Sequence, residues 1–161
     1  MKKTKKFKIF ITSGVGEGQT KLAAFDAALW DAGIANFNLI KLSSIIPPGT
    51  IIKVSHLKNN GKNGFGNKAY VVISEKRESE KGREVWAGLG WVQAKDRRGL
   101  FVEQVGSQQP EVIRLIKETL NDMVKYRKEK YGSIHYQVVG KRCEEKPVCA
   151  VVAAVYKEEG W

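Results

Sequence analysis

The chain has 161 residues, of which 42% are hydrophobic and 28% are charged, a balance typical of soluble globular proteins. This length suits one domain spanning residues 1–161, and the sequence contains no run of about 18 apolar residues, which excludes a membrane-spanning helix. The formal net charge is +11, but acidic residues are interspersed among the basic ones and no nucleic-acid-binding motif occurs. We therefore expect neither nucleic acid nor a membrane as a partner, and the lack of a secretory core after the N-terminal lysines indicates a cytoplasmic protein.

The first predicted elements are a strand, a glycine-rich connection and a helix. Residues 7–13 alternate apolar and polar side chains, which predicts a strand. The next segment alternates glycine with other residues, at Gly14, Gly16 and Gly18. It lacks the Gly-Lys-Ser/Thr ending of a P-loop, so we interpret it as a tight loop before the helix. Thr20 is the expected N-cap, and Gly33 follows the expected helix end near Asp31.

A carboxylate borders the apolar face of this helix. Leu22, Phe25 and Leu29 share one face at helical spacing, and Asp26 lies at its edge. A carboxylate that packing covers needs an ion pair or hydrogen bonds. From spacing alone, Asp26 is therefore a partly exposed flank residue, one half of an internal salt bridge, or the partner of a cationic ligand.

Two adjacent serines stand between strands predicted over 34–43 and 50–56. Ser43 and Ser44 shortly precede the diproline of residues 47–48, which restricts the path of the chain. A Ser44 hydroxyl held against the Ser43 carbonyl can convert the amide into an ester, and elimination followed by hydrolysis then leaves a pyruvoyl group at position 44. The simpler alternative is a Ser-Ser turn before a proline stop.

The C-terminal half combines strands with one long helix. The strands are predicted over 69–74, 85–93, 99–105, 134–140 and 148–156, the last two as a pair, and the helix over 110–131. Strands and helices in this order predict an α+β fold. Glu103 ends an apolar stretch, where it is either a surface residue at a strand end or an acid that apolar neighbours keep protonated.

Residues of the types that bind metals are few. The chain has two cysteines, Cys143 and Cys149, and two histidines, His56 and His135, without metal-ligand spacing. We therefore expect no metal. The two thiols flank the predicted connection between the last strands, and cytosolic chemistry keeps such thiols reduced.

The segment from Ile9 to Pro48 resembles the pyruvoyl-dependent arginine decarboxylases, a family of self-cleaving enzymes. The matching residues there are Ser13-Gly14, Gly16-Glu17-Gly18-Gln19-Thr20, Leu22, Ala24-Phe25-Asp26, Ala28-Leu29, Ala32-Gly33-Ile34, Asn38-Leu39-Ile40, Ser43-Ser44-Ile45 and Pro47-Pro48. Shorter matches are Gly99-Leu100-Phe101-Val102-Glu103 with Gly106, and Cys149-Ala150. The resemblance implies a four-layer αββα sandwich that assembles as a homotrimer of αβ units, with sites shared between protomers.

The resemblance also assigns the cleavage and the cofactor. Ser44 is implied to be the cleavage nucleophile and the precursor of the pyruvoyl group, and Ser43 donates the attacked carbonyl. Cleavage then leaves a β chain of residues 1–43 and an α chain of residues 44–161. Because a carbonyl built from the backbone accepts the electrons released by decarboxylation, we expect no pyridoxal phosphate.

The remaining implied roles concern processing, proton transfer and substrate binding. By resemblance, Asn38 assists cleavage and Glu103 donates a proton to the substrate carbon. Asp26 meets the guanidinium of the substrate arginine, while Leu29 and Ile45 line its aliphatic stem. The implied products are agmatine and carbon dioxide. A positive overall charge opposes a cationic substrate, so the site must supply local negative charge.

Two alternatives stay open. The first keeps the chemistry but replaces arginine by another basic amino acid, although planar pairing with Asp26 favours a guanidinium over an ammonium group. The second is a basic binding protein that has the fold and does not cleave itself. The masses of the purified chains distinguish this second alternative from the enzyme.

Overall fold

A computed structural model describes residues 6–59 and 63–161, which form two helices and nine strands. The helices are α1 (Lys21–Asp31) and α2 (Gln109–Val124). The strands are β1 (Lys8–Glu17), β2 (Asn38–Lys41), β3 (Ile45–Ile46), β4 (Ile51–Val54), β5 (Lys68–Glu78), β6 (Glu84–Gln93), β7 (Gly99–Gly106), β8 (His135–Arg142) and β9 (Val148–Glu159). This mixture confirms the predicted α+β class. Neither of the described helices has the length and apolar character needed to cross a membrane.

The strands form two sheets, and the serine pair lies between them. The five-stranded sheet has the order β2-β5-β9-β1-β4, and the four-stranded sheet has the order β3-β7-β6-β8. β2 and β3, which flank Ser43 and Ser44, are therefore edge strands of different sheets. The two serines lie where the chain crosses from one sheet to the other.

Alternate residues of β9 separate the two faces of the five-stranded sheet. Its even-numbered residues from 148 to 156 lie in a core that includes inward-facing residues of β6 and β7. Its odd-numbered residues 149, 151 and 153 pack beneath α1 on the opposite face. α2 packs on the outer face of the four-stranded sheet through Val112, Ile116 and Leu120. The two helices thus pack on different sheets, α1 on the five-stranded sheet and α2 on the four-stranded sheet.

Glycines within strands allow both helices to approach their sheets closely. A Cβ atom on either Gly14 or Gly16 would overlap the backbone of Ala28 in α1, and a Cβ atom on Gly90 would overlap the side chain of Ile116 in α2. The prediction of a loop at Gly14 and Gly16 is therefore wrong. These glycines belong to β1, where their alternation places both of them under the helix.

α1 begins and ends as predicted, but its buried face differs. The Thr20 hydroxyl accepts a hydrogen bond from the Ala23 N–H at 3.1 Å, and Gly33 follows the helix with a φ of 79°, the left-handed conformation that favours glycine. The buried residues are small alanines together with Leu29. The predicted apolar stripe is wrong at Leu22, whose side chain is 66% exposed, because close packing over glycines selects alanine instead.

Two further predictions for the C-terminal half are wrong. α2 ends at Val124 rather than Tyr131, since the lysine-rich residues that follow have no apolar face to bury. β8 and β9 do not pair, because β8 adds to the four-stranded sheet beside β6 while β9 lies inside the other sheet.

The connection between Cys143 and Cys149 carries the chain between sheets, and both thiols are free and buried. Burial raises the pKa of the Cys149 thiol to about 12.

Candidate active site

Ser44 is bonded to an acidic residue from a distant part of the chain. Its half-buried hydroxyl donates a hydrogen bond to Glu103 Oε1 at 2.5 Å, across 59 residues of sequence. Glu103 belongs to β7, and β7 pairs with β3 immediately after the serines. The register of the four-stranded sheet therefore brings the two side chains together. A bond this short is typical of a hydroxyl bound to a carboxylate.

The peptide groups around Ser44 are also held by hydrogen bonds. The Ile45 N–H donates to the Ser43 carbonyl oxygen at 2.5 Å, which closes a three-residue turn centred on Ser44. The Phe101 N–H donates to the Ser44 carbonyl oxygen at 2.8 Å. Each carbonyl of the serine pair thus has a backbone donor. The Ile45 N–H binds the Ser43 carbonyl oxygen. This oxygen would become negatively charged if the Ser44 hydroxyl attacked the Ser43 carbonyl carbon.

A tyrosine from β9 completes these contacts. The Tyr156 hydroxyl donates to the Ile45 carbonyl oxygen at 2.8 Å, and the Tyr156 ring packs against the rings of Phe7 and Phe101. Burial, together with the nearby charge of Glu103, raises the pKa of Tyr156. The phenol is therefore a protonated hydrogen-bond donor at neutral pH.

A depression of about 300 Å³ opens beside Glu103, and its lining includes Lys41 and Glu75. Arg77 binds Glu75 through two hydrogen bonds of 3.1 Å and 3.2 Å. The two carboxylates are thus matched by two cationic side chains, Lys41 and Arg77. Among the described residues, the charged side chains that line or contact this depression therefore supply no excess negative charge for a cationic substrate.

The model of the family described as pyruvoyl-dependent arginine decarboxylase matches residues 8–160. The chain belongs to this family. It is 31% identical to pyruvoyl-dependent arginine decarboxylase 2 of Archaeoglobus fulgidus, over 92% of this chain and 94% of the relative. The pyruvoyl-dependent arginine decarboxylase of Methanopyrus kandleri is 32% identical over the same two shares. That of Thermoplasma volcanium is 40% identical over 55% of this chain and 48% of the relative.

Membership of the pyruvoyl-dependent arginine decarboxylase family implies a pyruvoyl group, and the surroundings of Ser44 fit one. A pyruvoyl group derived from Ser44 retains the Ser44 carbonyl, which the Phe101 N–H already binds. Glu103 already lies within hydrogen-bond distance of the side chain that the group would replace. The described residues therefore offer both a backbone donor and an acid at this position.

Asp26 and Leu29 lie away from Ser44 in the described chain. Leu29 lies on the buried face of α1, which packs against the odd-numbered residues of β9. Asp26 is exposed on the same helix. Tyr156, which contacts the backbone next to Ser44, belongs to the even-numbered set on the opposite face of the sheet. The thickness of the five-stranded sheet therefore separates α1 from the serine pair. The substrate-binding roles of Asp26 and Leu29 stay predictions.

Asn38 is likewise not in contact with the serine pair. It begins β2, and its side-chain amide donates to the Gly66 carbonyl oxygen at 2.8 Å. β2 alone then spans about 10 Å before the chain reaches the serines. The role of Asn38 in cleavage therefore stays a prediction.

Ile45 directly follows the cleavage pair, and its side chain is 54% exposed. Together with Leu42 and Pro47 it lines a mostly apolar pocket of about 370 Å³. This position is compatible with contact to the aliphatic stem of a substrate, which also stays a prediction. The structure thus brings together four of the predicted site residues, which are Ser43, Ser44, Ile45 and Glu103.

Three groups beside Ser44 were not identified from the sequence. Two are the backbone N–H groups of Ile45 and Phe101, which no residue type reveals. The third is Tyr156, which ends the apolar run of β9. A polar-tipped aromatic residue at the end of a buried strand was the available signal, because a buried tyrosine hydroxyl needs a hydrogen-bond partner.

Proposed function

We propose that this chain decarboxylates L-arginine to agmatine and carbon dioxide, using a pyruvoyl group that it makes from Ser44 by self-cleavage. The observation that carries the proposal is the 2.5 Å hydrogen bond between Ser44 and Glu103. It joins the predicted cleavage nucleophile to the predicted proton donor. The relatives that match along most of this chain are named as arginine decarboxylases, which supports arginine as the substrate.

The proposed cleavage uses groups that are already in contact. Glu103 orients the Ser44 hydroxyl, and Ser44 Oγ attacks the Ser43 carbonyl carbon. The Ile45 N–H stabilises the resulting oxyanion. As the C–N bond breaks, the Ser44 nitrogen takes up the proton lost by the hydroxyl, which leaves an ester. Loss of the α-proton of residue 44 then eliminates the Ser43 carboxylate and leaves a dehydroalanine. This enamine takes up a proton at Cβ to become an imine, and one water hydrolyses the imine to the pyruvoyl carbonyl and ammonia.

The proposed decarboxylation divides the work between backbone and side chain. A pyruvoyl carbonyl supplies the electron sink that ordinary side chains lack. The Phe101 N–H, bound to the carbonyl oxygen of residue 44, stabilises negative charge that reaches this oxygen. Glu103, in its protonated form, delivers a proton to the former α-carbon of the substrate.

We also propose that the functional unit is a cytoplasmic homotrimer of αβ units, each a single domain with a four-layer αββα arrangement. The packing of α1 and α2 on opposite outer faces supports the layering. The exposure of Asp26, on the far side of a sheet from Tyr156, supports its action at a neighbouring protomer's site. The balanced charges beside Glu103 support the same conclusion, because a second protomer can add the missing negative charge.

Carbon dioxide release from separate basic amino acids tests this function. The purified protein is assayed with arginine, lysine, ornithine and histidine, and agmatine is measured in parallel. We expect arginine to be the preferred substrate and the Ser44→Ala protein to be inactive. Preference for lysine or ornithine would correct the substrate, and release by Ser44→Ala would contradict the pyruvoyl chemistry. Inactivity toward all four would favour the binding-protein alternative.

A further inference from the structure

The Tyr156 hydroxyl has no part in the reaction proposed above, yet it binds the active-site backbone at Ile45. We propose that Tyr156 is a positioning residue that acts through Ile45. Before cleavage it holds the Ser43–Ser44 turn in place, and after cleavage it anchors the new N-terminus of the α chain. The inference rests on the proposed self-cleavage and adds a residue that the predicted machinery did not include.

The new terminus needs an anchor because cleavage would leave residue 44 as a chain end. Chain ends are poorly ordered unless other groups hold them. β3, the strand that follows, has only two residues, and Pro47 and Pro48, which have no N–H donors, come next. The sheet itself therefore supplies few hydrogen bonds to the first residues of the α chain.

Two hydrogen-bond donors bind successive backbone carbonyls, those of Ser44 and Ile45. The Phe101 N–H binds the Ser44 carbonyl at 2.8 Å, and the Tyr156 hydroxyl binds the Ile45 carbonyl at the same distance. Together they fix the orientation of two successive peptide planes. The first of these planes carries the Ser44 carbonyl, which becomes the amide carbonyl of the proposed pyruvoyl group.

Tyr156 is itself firmly held. It lies at a bulge of β9, between Val155 and Lys157, which pair with Val71 and Tyr70 of β5, and only 9% of its surface is exposed. Its ring meets Phe101 edge to face at 6.1 Å and stacks with Phe7 at 6.3 Å between centroids. Phe101 therefore donates one of the two hydrogen bonds to the active-site backbone, and its ring packs against Tyr156, which donates the other. A hydroxyl on such a rigid support can define the position of its acceptor.

The test compares the rate of cleavage in variants at position 156. Tyr156→Phe removes the hydroxyl and keeps the ring, whereas Tyr156→Leu removes both. Tyr126→Phe is the matched control, because Tyr126 lies beyond the end of α2 and is 89% exposed. Each protein is made by cell-free synthesis and quenched at intervals in acid, and intact masses give the fraction cleaved. This readout requires no amino acid substrate.

We expect Tyr156→Phe to cleave about three- to tenfold more slowly than the wild type, the effect of one lost hydrogen bond. We expect its kcat with arginine, per cleaved chain, to fall by a similar factor while KM changes less than twofold. Hydrogen exchange of the peptide containing residues 44–46 should rise more than that of β1 or β9. Tyr126→Phe should match the wild type in all three measurements.

Different experimental results would overturn the inference about Tyr156 and the proposed function. If Tyr156→Phe cleaves and turns over like the wild type while Tyr156→Leu does not, the ring alone matters and the inference is overturned. A lower melting temperature with unchanged cleavage rate and kcat overturns it as well, because that pattern describes a purely structural hydroxyl. A wild-type chain that never cleaves overturns the proposed function itself and removes the basis of the inference.

Discussion

At Glu103, one side chain meets different requirements before and after cleavage. Before cleavage its carboxylate accepts a hydrogen bond from the Ser44 hydroxyl, a role that only requires a hydrogen-bond acceptor. During decarboxylation, as we propose it, the same residue has to give up a proton, which requires an acid. The amide of a glutamine can accept this hydrogen bond, but it cannot donate a proton to carbon. Substitution at this position therefore separates processing from turnover.

We expect Glu103→Gln to cleave itself and to lose about 10²–10⁴ in turnover, the usual contribution of a positioned general acid. Intact mass reports the cleavage, and agmatine formation reports the turnover. Glu118→Gln, on the exposed face of α2 where Glu118 pairs with Arg114, is the control and should do both normally. Unchanged turnover in Glu103→Gln would remove Glu103 from proton transfer.

Much of the site at the residue scale came from resemblance rather than from local pattern. For Ser43 and Ser44 the local pattern alone also fits a Ser-Ser turn before a proline stop, and it is the resemblance that favours cleavage between them. Glu103 looked like an ordinary residue at a strand end, since its partner is 59 residues away. Tyr156 was missed for the same reason, because its contact with Ile45 depends on how two sheets face each other.

At the scale of elements, glycine placement decides how closely the helices pack. Gly14 and Gly16 lie directly beneath Ala28, with no room for a side chain. In sequence, the same alternation resembles a loop, because turns and close approaches both select glycine. Helix caps were predictable, since Thr20 and Gly33 act locally. The separation of β8 and β9 into different sheets was not, because strand pairing is a long-range property.

We expect Gly16→Ala to destabilise the fold by about 1–3 kcal/mol, because the added methyl group must displace α1 from β1. Urea unfolding is measured in the Ser44→Ala background, so that a single uncut chain unfolds in every sample. Gly132→Ala is the control, because its Cβ would lie 3.5 Å from the nearest atom, the Gln93 carbonyl oxygen. Equal midpoints for the two variants would contradict the packing argument.

The end of β9 carries a carboxylate that makes stability depend on pH. Hydrogen bonds from Lys157, Lys68 and Tyr70 lower the pKa of Glu159 from 4.5 to about 2. A lowered pKa in the folded state adds stability above pH 4.5, and this stability is lost as the pH falls from 4.5 toward 2. We expect Glu159→Gln to reduce the difference in melting temperature between pH 6 and pH 3. Glu158→Gln, the neighbouring control, should retain the full difference.

At the scale of the whole molecule, Asp26 and the serine pair lie on different sides of the five-stranded sheet. Ser44 and Glu103 lie at the crossover between sheets, whereas Asp26 is exposed on a helix beyond the five-stranded sheet. The net charge of +11 increases the need for a specific carboxylate near a cationic substrate. A trimer that places Asp26 of one protomer beside Ser44 of the next, as we propose, would satisfy this need.

Mixing two variants that are impaired in different ways tests the shared site. Asp26→Asn should cleave normally and lose about 3–5 kcal/mol of arginine binding, because burial by a neighbouring protomer makes the lost ion pair costly. Ser44→Ala should remain uncut and inactive. Trimers co-expressed from both genes should regain decarboxylation, since an intact Asp26 then faces a processed residue 44. Absence of recovery in mixed trimers would place both residues in the same protomer's site.

The mass of the denatured wild-type protein tests the central claim most directly. We predict two chains that divide between Ser43 and Ser44, with a keto group in place of the amine at the start of the α chain. Borohydride treatment should shift the mass of the α chain only. A single full-length chain that nevertheless releases carbon dioxide from arginine would contradict the account.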